Sequence, residues 1–214
     1  MRRFHSVVLD VDSTLAGIEG IDWLASLRGP EMEVRSAELT DKAMRGLIPL
    51  EDIYGQRLDA VRPTRAEVDR LSLVYVEHMA PGAREALARL REEGVDLTIA
   101  SGGFRQAILP LATELGIEPD RVHAVRLNFD ERGGYAGFDE TSRLARQYGK
   151  RDTIESLALE GPVLAVGDGI TDFEIASVVD AFAVFTGFVR REAVIAQADY
   201  VVESFDQLLE LVIE

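Results

Sequence analysis

Short runs of apolar residues alternate with amphipathic segments along most of this chain. The runs predict strands at 4–11, 95–100, 122–127, 162–166, 181–185 and 200–202. Apolar residues three and four apart predict helices at 82–93, 104–115, 150–159, 171–178, 188–197 and 205–213. A hairpin turn is predicted at Gly133-Gly134. Strands that alternate with helices in this way are typical of a parallel sheet with helices on both faces.

The stretch between the first strand and residue 78 has helical patterning alone. It predicts helices at 20–27, 32–44, 50–61 and 65–77, and Pro63-Thr64 is a typical start signal for the last of them. The predicted class is therefore α/β, with a Rossmann-like parallel sheet and a small helical cap inserted after the first strand. We expect residues 1–14 and 79–214 to form the catalytic core and residues 15–78 to form the cap.

The composition is ordinary for a globular protein. Hydrophobic residues make up 47% of the chain and charged residues 29%, and no apolar run reaches the roughly 20 residues needed to span a bilayer. The N-terminal residues lead directly into the first strand, so we expect no signal peptide and a cytoplasmic protein. The chain has no cysteine, which excludes thiol catalysis and thiolate metal sites, and its three histidines lie far apart.

The formal net charge of −15 narrows the range of partners. A negative field repels nucleic acids and anionic membranes, so neither is expected as a partner. It also repels phosphorylated metabolites. A site for such a small molecule therefore needs local positive charge from a metal ion, an arginine, a lysine or aligned backbone N–H groups.

Two acids, Asp10 and Asp12, come directly after the first strand. Alternation along an extended chain directs both side chains the same way, and adjacent carboxylates repel each other unless they share a cation or a proton. The pair suits chemistry in which one acid is a nucleophile or metal ligand and the other carries a proton. The alternative is a pair of solvated acids that cap the next helix.

A serine and two glycines, Ser101, Gly102 and Gly103, lie between the strand at 95–100 and the helix that follows. Glycines let the backbone approach an anion, and a helix start supplies free N–H groups. The alternative is a tight turn capped by serine.

Lys150 opens a later helix, and the chain has only one other lysine. The ammonium of a lysine can contact a phosphoryl oxygen and a carboxylate at the same time. The alternative is a solvated lysine at the start of a helix.

Asp168 and Asp172 lie in a turn that contains glycine and follows the strand at 162–166. Two acids at a strand end offer oxygen ligands to a hard divalent ion such as Mg²⁺, although a turn with a helix cap at Thr171 or Asp172 has the same pattern. The four motifs follow four separate strands. Because ligands of open parallel sheets bind at the carboxyl ends of the strands, we expect the motifs to share one site.

Taken in order, the four motifs resemble those of the haloacid-dehalogenase-superfamily phosphatases. They are Asp10-Val11-Asp12-Ser13-Thr14, Ser101-Gly102-Gly103-Phe104, Lys150 and Gly167-Asp168-Gly169-Ile170-Thr171-Asp172. Likeness to the phosphoserine phosphatases of that superfamily extends to Glu19-Gly20-Ile21-Asp22, Ala43-Met44-Arg45-Gly46, Arg57-Leu58 and residues 134–141. The resemblance covers nearly the whole chain and includes the cap.

This resemblance implies Mg²⁺-dependent hydrolysis of a phosphomonoester through an aspartyl-phosphate intermediate, with O-phosphoserine as the substrate and serine biosynthesis as the context. Asp10 would be the nucleophile, and Asp12 would protonate the leaving oxygen and then activate water. Lys150 would neutralise the phosphoryl charge and orient Asp10. Phosphate oxygens would be held by Ser101, Gly102 and Gly103.

A metal site and a substrate site are implied as well. Mg²⁺ would be bound by Asp10, the backbone carbonyl of Asp12 and Asp168, with Asp172 as support. Glu19 would contact the substrate ammonium and Arg57 its carboxylate. Met44 and Thr171 would line the same substrate site.

Many members of the superfamily carry asparagine where Thr171 stands, but threonine occurs in others. No regulatory domain is expected before Asp10, and with it no feedback control by a bound amino acid. The residues around Met44 could accommodate another small phosphate ester, so the substrate stays open. One alternative is hydrolysis or transfer of another small phosphomonoester. Another is a receiver-type signalling module, which accepts a phosphoryl group on a strand-end aspartate but lacks a proton carrier two residues later and has no helical cap.

Overall fold

Eight strands form the framework of the protein within residues 2–213, the part of the chain that this computed structural model describes. The predicted outer bounds, Met1 and Glu214, lie outside the described residues. The strands are β1 (Ser6–Leu9), β2 (Asp96–Phe104), β3 (Val122–Val125), β4 (Leu127–Phe129), β5 (Tyr135–Phe138), β6 (Val163–Gly167), β7 (Ala181–Phe185) and β8 (Tyr200–Val202). Six of them pair in parallel in the order β3-β2-β1-β6-β7-β8, which confirms the predicted class.

Strand β1 lies in the middle of this sheet because the chain adds β2 and β3 on one side and β6, β7 and β8 on the other. All four of its residues are buried, as expected for a strand covered on both faces. A reversal of strand order leaves a crevice at the carboxyl ends of the central strands. Asp10 is the first residue after β1 and therefore lies at that crevice.

Helices cover the sheet and form the stretch that follows β1. They are α1 (Gly20–Ser26), α2 (Pro30–Met44), α3 (Leu50–Val61), α4 (Arg65–Glu77), α5 (Ala83–Glu92), α6 (Arg105–Glu114), α7 (Gly149–Glu155), α8 (Ile170–Phe173), α9 (Glu192–Ile195) and α10 (Phe205–Ile213). The predicted bounds of the first four agree with the structure to within two residues. Among the described residues, no helix combines the length and the apolar content needed to cross a bilayer.

The chain enters and leaves the α1–α4 segment through two stretches that run side by side. Ala16 forms an antiparallel bridge with Met79. The Gly17 N–H donates to the His78 carbonyl at 2.9 Å, and the Ala80 N–H donates to the Leu15 carbonyl at 2.8 Å. Because helix α4 packs against α6, the segment also rests on a helix that covers the sheet.

Several predicted elements differ from the structure. The predicted helix 150–159 ends at Glu155, and the predicted helix 171–178 is α-helical only to Phe173. The predicted turn at 101–103 was wrong, because β2 continues to Phe104 and pairs again with β3 there after an irregular stretch. The predicted strand 122–127 ends at Val125, and Leu127 begins the separate β4–β5 hairpin. The predicted helix 188–197 is helical only over α9, since the chain before it brings Arg191 into a buried ion pair.

Helix α4 begins with a complete capping box. The Glu67 N–H donates to the Thr64 hydroxyl at 3.3 Å, and the Thr64 N–H donates to the Glu67 carboxylate at 2.8 Å. Arg28 donates to both oxygens of the same carboxylate, at 2.6 and 2.7 Å. The Arg28 hydrogen bonds and, secondarily, the backbone of Thr64 lower the pKa of Glu67 to about 2.

We expect Glu67→Gln to lower the free energy of unfolding by about 1 kcal/mol at neutral pH. The folded-state pKa of Glu67 lies below its ordinary value of 4.5, so the contribution is fully present above that value and disappears as the pH falls through about 2. Urea unfolding at pH 7 and at pH 2 measures both effects. Glu114→Gln, which removes an exposed partner of Arg84, is the matched control and should change neither curve by a comparable amount.

Candidate active site

Side chains that follow two central strands meet the side chain of a helix at the crevice beside β1. Asp10 follows β1, Lys150 lies in the first turn of α7, Asp168 follows β6, and Asp172 lies in α8. All four are buried. The convergence predicted from the sequence is therefore present for these four residues.

Lys150 joins two of the acids. Its ammonium donates to Asp10 Oδ1 at 2.7 Å and to Asp172 Oδ1 at 2.5 Å. Burial opposes the charge of the ammonium, but the two carboxylates outweigh it and raise the pKa of Lys150 above its ordinary value. Lys150 therefore stays positively charged and holds Asp10 in a fixed orientation.

Asp10 lies in an environment that disfavours its own negative charge. Burial, followed by the charge of Asp172, raises the pKa of Asp10 well above its ordinary value, while Lys150 acts in the opposite direction. A nucleophilic carboxylate has to be ionised. Additional positive charge at this position would therefore favour the reactive form of Asp10.

Asp12 is held by donors from the α1–α4 segment. Its Oδ1 accepts hydrogen bonds from the Gly20 N–H and from the Tyr75 hydroxyl, each at 2.7 Å. A Cβ on Gly20 would overlap the Tyr75 hydroxyl, and a Cβ on Gly103 would lie 2.9 Å from Asp12 Oδ2. Burial raises the pKa of Asp12 although the two hydrogen bonds lower it, so the carboxyl is suited to carry a proton.

Asp168 faces a cation that the sequence motifs do not include. Arg191, itself buried, makes a close ion pair with Asp168. Burial nevertheless raises the pKa of Asp168 to about 7, against the effect of Arg191. This carboxyl therefore lies in a site with less positive charge than its ionised form needs.

The residues present fit a divalent cation. Carboxylate oxygens of Asp10, Asp168 and Asp172 lie within 4.8 Å of one another. Four buried or partly buried carboxyl groups line the cavity beside two cations, Lys150 and Arg57. The carboxyl groups are Asp10, Asp12, Glu19 and Asp168, and Asp172 adjoins them through Lys150. Clustered carboxylate oxygens with an excess of negative charge are typical of sites for hard divalent ions.

The segment from Glu19 through α4 contributes a carboxyl group, Glu19, and a cation, Arg57, to the same site. Glu19 accepts a hydrogen bond from the Ser13 hydroxyl at 2.7 Å, and burial, followed by the charge of Asp12, raises the pKa of Glu19 well above its ordinary value. Arg57 is 7% exposed and donates to Asp22 at 2.7 Å. Ser36 and Thr40 also accept hydrogen bonds from its guanidinium, and its Nε has no partner among the described residues.

These groups enclose one cavity of about 610 Å³, counting the part that is open to solvent. Predicted site residues that line it are Asp10, Asp12, Glu19, Met44, Arg57, Gly102, Gly103, Lys150, Asp168 and Thr171. Apolar and aromatic residues complete the wall: Ile21, Leu50, Tyr54 and Phe104.

Ser101 and Asp172 do not line this cavity. The Ser101 hydroxyl is fully buried and accepts a hydrogen bond from the Gly103 N–H at 2.9 Å. Asp172 accepts from Lys150 and, through its other oxygen, from the Gly169 N–H at 3.0 Å. In this arrangement, Ser101 shapes the glycine backbone and Asp172 supports Lys150.

Sequence reasoning missed several residues that contact the site. Tyr75 donates to Asp12, the Tyr54 hydroxyl donates to the Gly102 carbonyl at 2.7 Å, and Arg191 pairs with Asp168. Each lies in a segment whose pattern looks like an ordinary helix or surface stretch. Their partners are distant in sequence, so no local signal could identify them.

Comparisons with known proteins agree with this geometry. A family model described as haloacid dehalogenase-like hydrolase matches residues 4–180. Phosphoserine phosphatase from Bos taurus is 40% identical over 207 residues, which cover 95% of this chain and 91% of that protein. The chloroplastic phosphoserine phosphatase of Arabidopsis thaliana is 35% identical over 213 residues, 97% of this chain and 72% of that protein.

The fold also has a close counterpart among solved structures. The crystal structure of a phosphoserine phosphohydrolase-like protein from Francisella tularensis subsp. tularensis SCHU S4 superposes with a TM-score of 0.90 at 25% identity. The match covers 97% of this chain and 99% of that one. The similarity therefore includes both the sheet and the α1–α4 segment.

Proposed function

This chain belongs to the haloacid dehalogenase-like hydrolases, and on that basis we propose that it hydrolyses O-phosphoserine to serine and inorganic phosphate. One observation carries the proposal: a single cavity is lined by the Asp10–Lys150 pair together with the carboxyl group of Glu19 and the guanidinium of Arg57. Phosphoserine carries an ammonium, a carboxylate and a phosphate. Glu19, Arg57 and Lys150 offer one charged partner for each of these groups.

We assign the nucleophile to Asp10. Its carboxylate oxygen attacks phosphorus, and the bond between phosphorus and the seryl oxygen breaks while Asp12 donates its proton to that oxygen. The products of this step are serine and a phosphoryl group on Asp10. The raised pKa of Asp12, caused by burial, supports its role as the acid.

The second step regenerates Asp10. Asp12, now a carboxylate, takes a proton from a water molecule, whose oxygen attacks phosphorus. The bond from phosphorus to Asp10 breaks, so that inorganic phosphate is released, Asp10 is again a carboxylate and Asp12 again carries its proton. In the free protein, Lys150 Nζ lies 2.7 Å from Asp10 Oδ1. From this position its positive charge offsets the negative charge that develops on the phosphoryl oxygens during both steps.

The proposed cofactor is Mg²⁺, held by Asp10, Asp168 and the backbone carbonyl of Asp12. When bound, the ion supplies positive charge that stabilises the phosphoryl group and the ionised carboxylates. Asp172 supports this site indirectly, because Lys150 and the Gly169 N–H occupy its two oxygens. The excess of carboxyl groups over cations in the cavity supports the proposal.

We propose residues 15–78 as the cap and residues 1–14 and 79–214 as the core. The support is that residues of both parts line the cavity, and that Asp12 accepts hydrogen bonds from Gly20 and Tyr75 of the proposed cap. A cap of this kind admits substrate when open and excludes water when closed. The cytoplasmic location expected from the sequence stays a prediction.

The release of inorganic phosphate from a panel of small phosphoesters, with and without Mg²⁺, tests the function. We expect phosphoserine to give a higher kcat/KM than phosphothreonine, glycerol phosphate or sugar phosphates. Adding an acceptor alcohol tests transfer, and we expect free phosphate as the main product. A sugar phosphate as the best substrate would contradict the assignment of Glu19 and Arg57 to the serine moiety.

We expect Arg57→Ala to reduce kcat/KM for phosphoserine by about 10²-fold, because a buried guanidinium is lost from the carboxylate of the substrate. Hydrolysis of an aryl phosphate, which has no such carboxylate, should change by less than about tenfold. The ratio of the two rate constants is the measurement. Equal losses on both substrates would remove Arg57 as the carboxylate partner.

Two control variants separate recognition from folding. Arg57→Ala leaves Asp22 without its arginine, so the melting temperature of the variant has to be measured alongside its activity. Arg35→Ala removes an exposed arginine of α2 and should leave kcat/KM unchanged for both phosphoserine and the aryl phosphate. If Arg35→Ala changed the ratio of kcat/KM for phosphoserine to kcat/KM for the aryl phosphate as strongly as Arg57→Ala does, the effect of Arg57→Ala would come from the loss of a positive charge in general and not from a contact with the substrate.

A further inference from the structure

A second cavity lies on the other side of the β2 end from the catalytic crevice, and its charge is opposite to that of the protein. Its lining residues are Arg105, Val122, His123, Ala124, Arg126, Ser142, Arg143, Leu144, Thr153 and Ser156. Its volume is about 360 Å³, and it is wide open to solvent. No aspartate or glutamate is among the described residues that line it, although the chain has 38 acids and 23 lysines and arginines.

The three arginines of this cavity are not neutralised by ion pairs. Within residues 2–213, none of their guanidinium groups has a carboxylate oxygen within 4.0 Å. Arg105 is held by the carbonyls of Pro119 and Val122, and Arg143 by the carbonyl of Asp152 at 2.9 Å. These bonds orient the guanidinium groups of Arg105 and Arg143 without neutralising them, whereas the charge of Arg126 is partly offset by Asp139, whose pKa it helps to lower after the hydrogen bonds from Thr141.

Arg126 has more freedom than the other two. Its side chain is exposed and makes no hydrogen bond within the described part of the chain. Arg105 and Arg126 act on each other as like charges, since burial and then Arg126 lower the pKa of Arg105. Burial, Arg105 and Arg121 likewise lower the pKa of His123. Repelling cations around one concave surface favour an anion between them.

We propose that this basic cavity, defined by Arg105, Arg126 and Arg143, is a second, non-catalytic binding site for a small phosphate-bearing anion. Guanidinium groups match the geometry of phosphate oxygens and can bind them in pairs. A concave site of this volume suits a small molecule. The net charge of −15 argues against a nucleic acid, whose backbone would meet a negative surface outside the cavity.

The basic cavity is separate from the catalytic cavity but shares walls with it. Leu144 lines the basic cavity, and its carbonyl lies 3.5 Å from the position of a Cβ on Gly102, which lines the catalytic one. Thr153 lies on α7, one turn after Lys150. Acids occur at the margin of the cavity. Asp152 and Glu155 share an adjoining depression with Arg143, and Asp139 and Asp120 act on Arg126 and His123 without lining the cavity.

Inorganic pyrophosphate is the probe for this site. The wild-type protein is titrated with pyrophosphate in Mg²⁺-free buffer at constant ionic strength and followed by ¹H–¹⁵N NMR. We expect the chemical shifts of the amides at residues 122–126 and 142–144 to change. Arg126→Gln/Arg143→Gln should bind the probe at least about tenfold more weakly at these amides. Arg126→Gln alone changes an exposed side chain that makes no hydrogen bond within the described residues, so it provides a weaker version of the test with little effect on the fold.

Three outcomes would overturn the inference. The first is an absence of shifts at 122–126 and 142–144 in the wild-type protein. The second is an equal loss of binding in Arg89→Gln/Arg132→Gln, which removes the same charge from exposed positions elsewhere. The third is citrate binding as tightly as pyrophosphate, which would mean that the site does not select phosphate. Phosphoserine turnover is measured separately, so failure of the proposed reaction leaves this test intact.

Discussion

Asp10→Asn should abolish turnover, with kcat reduced by at least about 10⁴-fold, while the protein stays folded. Asparagine has nearly the shape of aspartate but cannot form the acyl phosphate, because its amide nitrogen replaces the nucleophilic oxygen. Lys150 keeps its second partner, Asp172, at 2.5 Å. Phosphate release from phosphoserine and the thermal unfolding midpoint are the two measurements.

The expected stability of this variant follows from the charges around Asp10. Burial and Asp172 disfavour the ionised Asp10, whereas Lys150 favours it, so a neutral amide removes both repulsion and attraction. We therefore expect a folded protein whose melting temperature is close to that of the wild type. Asp59→Asn, at an exposed position of α3, is the matched control and should keep full activity. Turnover of Asp10→Asn above background would exclude Asp10 as the nucleophile.

Removal of divalent cations should reduce the rate of phosphate release by at least about 10³-fold, and Mg²⁺ should restore it. The physical reason is the surplus of carboxyl groups around the crevice. Without additional positive charge, burial keeps the pKa of Asp168 at about 7 and that of Asp10 above its ordinary value. A substrate dianion would enter a site that already repels its charge.

The cation itself can be detected without turnover. Because a ligand that binds only the folded state stabilises it, Mg²⁺ should raise the melting temperature of the wild-type protein. Asp168→Asn should lose this shift, and Asp206→Asn, on α10, should retain it. Full activity in excess chelator, or an equal Mg²⁺-induced shift in Asp168→Asn, would contradict the proposed metal site.

Much of the fold could be predicted because its signals are local. Helices α3 and α4 begin and end at the predicted residues, since amphipathic spacing and the Pro63-Thr64 start signal are properties of a short stretch of chain. The strand order of the sheet and the end of β2 could not be predicted in the same way. Pairing of Phe104 with Val125 is a long-range contact, and it extends β2 through residues that otherwise favour a turn.

In the candidate site, too, residues with a local sequence signal could be predicted and their long-range partners could not. Asp10 and Asp168 could be identified because strand-end positions bring chemistry-bearing residues to one edge of a sheet, and Lys150 because it is one of only two lysines and opens a helix. Their partners Tyr75 and Arg191 come from a helix and a loop with no distinguishing pattern. The hydrolase family also excludes the receiver-type alternative that the strand-end aspartate left open, while the choice among small phosphomonoesters rests on Glu19 and Arg57.

The paired stretches around Ala16 and Met79 make the helical insertion a module with a single stem. Since its first and last residues are neighbours, a longer or shorter insertion need not displace the strand ends that carry Asp10 and Asp168. The residues that face the substrate and those that cleave the phosphoester can therefore be varied independently.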